Sequence, residues 1–90
     1  MRIRNLTLTN ANTEYKIELG AIRAIYLQPR NSNHLVRVST AAGVVAAGNN
    51  PHLVVDSNHY PGTYSFGVAS EVVLYAASPD AGAILEIVTN

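Results

Sequence analysis

Short runs of alternating apolar and polar residues, separated by clusters of Gly, Pro, Asn and Ser, make up this 90-residue chain. The runs are rich in Val, Ile, Thr and Tyr, and the turn clusters recur about every 8 to 12 residues, a spacing typical of antiparallel sandwiches and barrels. No helix is predicted. The pattern predicts one all-β domain, residues 1–90, with about eight short strands at residues 2–9, 14–19, 22–28, 34–40, 52–57, 63–68, 71–77 and 82–89.

Three of the turn clusters are predicted to close β-hairpins, with loops at residues 10–13, 29–33 and 78–81. Facing residues of an antiparallel hairpin have a constant sum of residue numbers, and this rule places apolar opposite apolar on one face of each pair. In the last hairpin Leu74 faces Leu85, and Gly82 takes the positive φ that follows the Pro79 turn. The matched faces predict an antiparallel β-sandwich, whose core is Leu6, Leu8, Tyr15, Ile17, Val36, Val38, Val72, Leu74, Leu85 and Ile87.

The opposite faces of the second and third hairpins also carry apolar side chains. A two-layer sandwich has one inner face for each sheet, so these side chains need another cover. They are Ile25, Leu27, Leu35, Val73, Tyr75 and Ile84. Two covers are consistent with the sequence, the long segment 41–62 folded over one such face or a second subunit. We therefore treat the six residues as interface candidates of a homo-oligomer, with the covering loop as the alternative.

Composition removes several classes of partner. Six basic and six acidic residues balance to a net charge of zero, which leaves no basic stripe to follow a nucleic-acid backbone. Cysteine is absent, which excludes disulfides and thiolate metal sites. The chain opens without the pattern of a signal peptide, and Gly and Pro interrupt its longest uncharged run. We expect neither nucleic acid nor membrane as a partner.

The three histidines raise the possibility of a zinc site, because three imidazoles can hold a catalytic metal. His34, His52 and His59 are 18 and 7 residues apart, which matches no zinc-binding spacing. All three stand at predicted strand ends or in loops, beside Asn or Pro. We interpret them as unlinked loop residues and expect no metal and no cofactor.

Motifs of catalysis are equally weak. Glu14 and Glu18 share a strand face, as paired glycosidase carboxylates would, but Lys16 lies between them, which is typical of a charge-alternating solvent face. No serine lies in a Gly-x-Ser-x-Gly elbow, and the glycine-containing segment 43–50 lacks the lysine and helix of a phosphate loop. The sequence predicts no catalytic residue and no enzyme.

The segment NHYPGTYSF, residues 58–66, is the best candidate for a contact surface. It gathers three of the six aromatic residues of the chain beside a Pro-Gly turn. Aromatic side chains in turns can stack on sugar rings, and they can equally anchor a loop on the core or on a neighbouring subunit. Tyr60 and Tyr64 are therefore interface candidates, with a glycan contact as the alternative.

Two stretches carry a resemblance to a known class of proteins. They are LTLTNANTEYKIELGAIRAIYLQPR with the following LVRV, and VVLYAASPDAGAILEIV near the end of the chain. These stretches resemble the small β-sandwich virion proteins encoded among the head genes of tailed bacteriophages. There, a Leu-Thr-x-Thr-Asn-Ala-Asn-x-x-Tyr run starts the first hairpin and a Leu-Tyr-x-Ala-Ser-x-x-Ala-Gly hairpin closes the fold. The resemblance does not extend to residues 40–70.

The resemblance implies a jelly-roll-like structural protein of the virion, without catalytic residues. It implies a capsid decoration (cement) or head-fibre role, in which a homotrimer binds the major capsid protein and stabilises the head shell. The location expected from it is the capsid surface, after synthesis in the host cytoplasm. The alternative hypothesis is a carbohydrate-binding or fibre-tip module that adheres to a host-surface glycan through the aromatic segment.

Overall fold

A computed structural model describes the backbone of residues 1–56 and 63–90 and the side chains of residues 1–56 and 68–90. All regular structure in these residues is β, so the predicted all-β class is confirmed. The strands are β1 (Arg2–Leu8), β2 (Tyr15–Pro29), β3 (Val36–Ser39), β4 (Leu53–Val55), β5 (Thr63–Ala77) and β6 (Ala83–Thr89).

The described strands form one antiparallel sheet in the order β1-β6-β2-β5-β3-β4, which curls into a half-barrel. There are six strands here instead of about eight, because two pairs of predicted strands are continuous. Predicted strands 14–19 and 22–28 both belong to the 15-residue β2, and 63–68 and 71–77 both belong to the 15-residue β5. Turn-like residues within a run therefore mark bends in these strands.

The predicted hairpin pairings are wrong. β1 pairs with β6, so Leu8 faces Ala83, whereas Tyr15 faces Ala76 of β5. β3 pairs with β4 and β5, and β5 and β6 lie on opposite sides of β2. An alternating pattern determines which face of a strand is apolar, but any second alternating strand satisfies it equally well. Most strands therefore pair with a strand that is not next to them in sequence, and the loops span the distance.

Bending of β2 gives the sheet its curl. A straight strand of 15 residues would be about 50 Å long, whereas the longest dimension of the molecule is 33 Å. The register shifts between Glu18 and Gly20 and again between Ile22 and Ala24. Gly20 has a φ of 70°, which a residue without Cβ adopts readily. Such irregularities bend a strand and increase its twist.

The same bends reverse a predicted face. Strict alternation from Ile22 places Tyr26 inward and Leu27 outward, but Leu27 is only 2% exposed and Tyr26 is half-buried on the outer side. The buried residues of β2 are Ile17, Leu19, Ile22, Ile25 and Leu27. Their spacing changes from two to three residues at the register shifts. The expectation that Ile25 and Leu27 lie on an uncovered face is therefore wrong, because the bent strand turns both into the core.

The predicted core is otherwise confirmed. Seven of its ten residues are buried, namely Leu8, Ile17, Val36, Val38, Leu74, Leu85 and Ile87. The other three, Leu6, Tyr15 and Val72, are half-buried and pack against the same cluster. Period-2 patterning thus identified the inward positions even where the strand partners were wrong.

The turn at residues 78–82 joins the two segments of chain that flank β2. Ahead of β2, the Asn12 amide donates to the Ser78 carbonyl at 2.7 Å. Beyond β2, the Leu35 amide donates to Asp80 Oδ2 at 3.1 Å, and Ser78 Oγ donates to the Leu35 carbonyl at 2.5 Å. Ser78 is fully buried, and Gly82 has the predicted positive φ, 80°. The predicted hairpin loop is thus a junction between distant parts of the chain.

Part of the segment 41–62 does cover an outer face. Arg37 Nε donates to the Val45 carbonyl at 2.7 Å, and Glu14 Oε1 accepts a hydrogen bond from the Gly43 amide at 2.8 Å. Val45 is fully buried, as is Ala77, the register partner of Arg37. The described part of the segment therefore packs beside β3 and the end of β5.

Candidate functional site

The half-barrel holds an open cavity of about 620 Å³. Cavities of this size are in the range that holds small ligands or large side chains. Its aliphatic lining comes from four strands: Ile25 and Leu27 of β2, Val38 of β3, Leu53 of β4, and Val72, Val73 and Leu74 of β5. Water in such a space finds few hydrogen-bond partners, so apolar groups are its favoured occupants.

Strand geometry explains why this cavity is apolar. Leu27 faces it because of the bend in β2, and Val38 and Leu53 are register partners on β3 and β4. Leu74 is 8% exposed and is part of the core, whereas Leu53 is 50% exposed. The cavity therefore runs from a buried aliphatic floor to an exposed aliphatic residue at its edge.

Four polar side chains are among the described lining of the cavity, and two of them, Ser39 and His52, form hydrogen bonds within the chain. Ser39 Oγ donates to the Pro51 carbonyl at 2.6 Å and accepts from the Ala41 amide at 3.0 Å. His52 Nδ1 lies 2.7 Å from the Asn49 carbonyl, which can only accept, so Nδ1 carries the proton. Glu71 also lines the cavity and is exposed.

A polar network occupies the outer surface of β2 and β6. Tyr26 donates to Gln28 Oε1 at 2.9 Å, and Gln28 Nε2 donates to Glu86 Oε1 at 2.8 Å. Arg30 Nε lies 3.2 Å from Glu86 Oε2. The hydrogen bond from Gln28, followed by that from Arg30, lowers the pKa of Glu86 below its usual 4.5. Glu86 is thus held as a carboxylate by its neighbours.

The six residues predicted for a second apolar face fall in two places. Ile25, Leu27 and Val73 line the cavity. Leu35, Tyr75 and Ile84 lie outside it and are half-buried. The structure therefore does not bring the six together in one surface, because the bends in β2 and the pairing of β5 and β6 with β2 separate them.

Tyr60 and the side chain of Tyr64 lie outside the described residues, as does His59. The backbone of Tyr64, in β5, pairs with that of Ile25, in β2. The assignment of the two tyrosines to an interface or to a glycan site stays a prediction.

The two described histidines differ in their surroundings, because His34 Nδ1 is buried without a hydrogen-bond partner, whereas His52 Nδ1 lies 2.7 Å from the Asn49 carbonyl. His34 and His52 both lie in loops, as predicted. Within residues 1–56 and 63–90, no described group of three His, Cys, Asp or Glu side chains has the arrangement of a metal site. Lys16 and Glu18 form an exposed ion pair at 3.3 Å, while Glu14 binds the Gly43 amide.

Sequence reasoning missed the cavity and with it Leu53, His52 and Glu71. These residues are far apart in the chain, and the bend in β2 is what brings Leu27 into the same space. The available signal was Gly20, an isolated glycine inside an otherwise β-forming run, which often marks a bulge.

No protein-family model matches the chain, and no curated protein or solved structure is significantly similar to it. The described residues contain no helix long and apolar enough to span a membrane.

Proposed function

We propose that this protein is a structural, non-enzymatic component of a tailed-bacteriophage virion, a decoration protein that binds the head shell and stabilises it by added contact area. The sequence resemblance supplies the virion and the major capsid protein as partner. The resemblance also supplies the homotrimer as the favoured assembly. The structural observation that supports this proposal is the apolar outer surface of β6.

Strand β6 has no exposed side chain. Its inner residues, Ala83, Leu85, Ile87 and Thr89, are buried, and its outer residues, Ile84, Glu86 and Val88, are half-buried. An antiparallel strand that faces water on one side normally has polar residues there. Two of the three outer residues of β6 are aliphatic instead.

Tyr26 of β2 extends this apolar surface, because it is the register partner of Val88 and is also half-buried. We call Tyr26, Ile84 and Val88 the outer patch. The network of Gln28, Arg30 and Glu86 runs between its members and offers directional polar contacts. An apolar patch with polar groups set into it is the composition of protein–protein interfaces.

We further propose that the chain is organised as a jelly-roll-like sandwich, with β2 and β5 passing from one layer to the other. Strands that change layer do so at bulges or bends, and β2 and β5 share both register shifts. The junction at residues 78–82, which joins the segments on either side of β2, supports this proposal.

Binding to purified heads of the encoding phage tests the proposed function. Shells without this protein are mixed with it, sedimented, and heated in a calorimeter. We expect saturable co-sedimentation and a higher shell melting temperature. Ile84→Asp should weaken binding, because it places a charge in the outer patch, whereas Val68→Asp, at an aliphatic residue exposed elsewhere, should not. Folded protein that does not bind the shells would contradict the proposal.

A further inference from the structure

The two edges of the described sheet have complementary surfaces. Strand β4 is one edge and β1 is the other. Leu53 of β4 borders the apolar cavity, whereas β1 displays an aliphatic side chain of its own, Ile3. The cavity and the β1 edge also differ in charge.

The described lining of the cavity carries one acidic side chain, on β5. Glu71 is the one charged residue among the described residues that line the cavity, and it is exposed. It forms no ion pair within the described part of the chain. A basic group beside the cavity would therefore gain a partner without breaking an existing ion pair.

The β1 edge is basic and apolar. Ile3 is 63% exposed and does not line the cavity of its own chain. Its neighbour Arg2 is exposed and has no ion-pair partner in residues 1–56 or 68–90. As an edge strand, β1 also presents backbone groups that a second chain can approach.

We propose that the cavity of one copy receives the β1 edge of a second copy, with Ile3 inserted between Leu53 and Leu74 and Arg2 paired with Glu71. The contact removes an exposed aliphatic side chain from water and fills aliphatic space. It also brings together two opposite charges that form no ion pair among residues 1–56 and 68–90. Charge complementarity and the open aliphatic space between the described lining residues select this occupant.

Such a contact is head-to-tail. Each copy offers one cavity and one β1 edge, so association continues from copy to copy, and it ends in a ring when the rotation between neighbours closes and in a filament when it does not. We expect the closed ring. This inference depends only on the described surfaces and goes beyond the proposed function. A self-associating protein without affinity for phage shells would contradict the proposed shell binding and leave this inference intact. A monomer that binds shells would overturn this inference and the proposed homotrimer, but not the shell binding.

Light scattering of the full chain at micromolar concentration gives the first test. We expect a discrete mass that is a multiple of 9.6 kDa. Ile3→Asp and Leu53→Asp should each return the mass to that of one chain, because each places a charge in the contact. Val68→Asp is the matched control, since Val68 is 69% exposed, and it should keep the assembly. A monomeric parent, or an equal effect of all three variants, would refute the proposal.

Mixing the Ile3→Asp and Leu53→Asp variants, each of which has lost one side of the contact, gives a sharper test. The Ile3→Asp chain keeps an intact cavity and the Leu53→Asp chain keeps an intact β1 edge, so the mixture should form one-to-one heterodimers and nothing larger. Circular dichroism and thermal melting of each variant alone show whether it is folded. Folded variants that stay monomeric when mixed would exclude a head-to-tail contact.

A charge exchange tests the ion pair. Arg2→Glu and Glu71→Arg should each weaken assembly by about tenfold or more, and the double variant should recover most of the loss. Two single variants with unchanged dissociation constants, or a double variant weaker than both, would show that Arg2 does not face Glu71.

Discussion

The two ends of the half-barrel differ in how fully they are packed. Around the turn at residues 78–82, Leu8, Ser78, Ala83 and Leu85 are fully buried, and the turn's polar groups bind across the chain. Around the cavity, Leu74 and Leu53 border open space and the exposed Glu71 has no ion pair in the described residues. We call these regions the turn end and the cavity end. Similar alternating strands thus form a filled core at one end and an incomplete one at the other.

Stability and association should depend on different ends of this small sheet. Hydrogen bonds that join segments distant in sequence close the turn end, so changes there should cost folding free energy. The cavity end retains unfilled aliphatic surface, so changes there should affect association more than folding.

The largest expected effect is that of truncating a leucine at the turn end. Leu85→Ala should destabilise the protein by about 3 to 5 kcal/mol, because it leaves a cavity in filled core. Leu74→Ala, at the cavity end, should cost about 2 kcal/mol, the low end of the range for such changes, because Leu74 already borders open space. Urea denaturation measures both free energies of unfolding. Equal losses would show that the two ends are packed alike, and an insignificant loss for Leu74 would contradict its place in the core.

Enlarging a valine should also affect the stability of the two ends differently, this time by adding volume. Val36 is fully buried and does not line the cavity, so Val36→Leu should cost about 1 to 3 kcal/mol through overpacking. Val38→Leu adds the same methylene beside the cavity and should be neutral or slightly stabilising. Thermal melting of the two variants provides the comparison. A destabilised Val38→Leu variant would indicate that the cavity is already filled.

Removing the buried hydroxyl of Ser78 tests the polar part of the turn end. Ser78→Ala loses the donor to the Leu35 carbonyl and the acceptor for the Asp80 amide, and should cost about 1 to 3 kcal/mol. Ser78→Cys keeps a weak donor and is the closest control. Amide hydrogen exchange should quicken at Leu35 and Asp80 in Ser78→Ala, and unchanged protection would contradict the junction.

The effect of pH on the contribution of Glu86 to the free energy of unfolding should be smaller than the effects of these substitutions. Its pKa is lowered in the folded state, so its contribution to stability is present above the ordinary pKa of 4.5 and is lost as the pH falls through the folded value. The free-energy difference between the parent and Glu86→Gln should therefore be larger at pH 7 than at pH 3. Because Arg30 is half-exposed, 0.5 M salt should reduce the difference. A difference independent of pH would refute the role of the carboxylate.

The smallest expected effect is that of metal removal. His34 and His52 lie in separate loops, so EDTA should leave the melting temperature and the assembly state unchanged. A melting temperature that falls with EDTA and returns with zinc would overturn this prediction.

Only some of the cavity-lining residues could be predicted from the sequence to face inward. Leu74 and Val38 were predicted to face inward, and they do. Leu27 was predicted to face outward, because strict alternation was continued through the register shifts of β2. A shift of one residue in a strand with period 2 exchanges its two faces. The cavity depends on that exchange, and no single run of sequence displays it.

The sequence by itself determined the all-β class, the positive φ of Gly82 and most of the inward positions, because alternation and turn chemistry act over a few residues. Tertiary structure decided the order β1-β6-β2-β5-β3-β4, the continuity of β2 and β5, and the junction that joins Asn12, Ser78 and Leu35. Local patterning makes every alternating strand an acceptable partner for every other. The choice among partners follows from which arrangement buries their inner faces together, and that is a property of the whole chain.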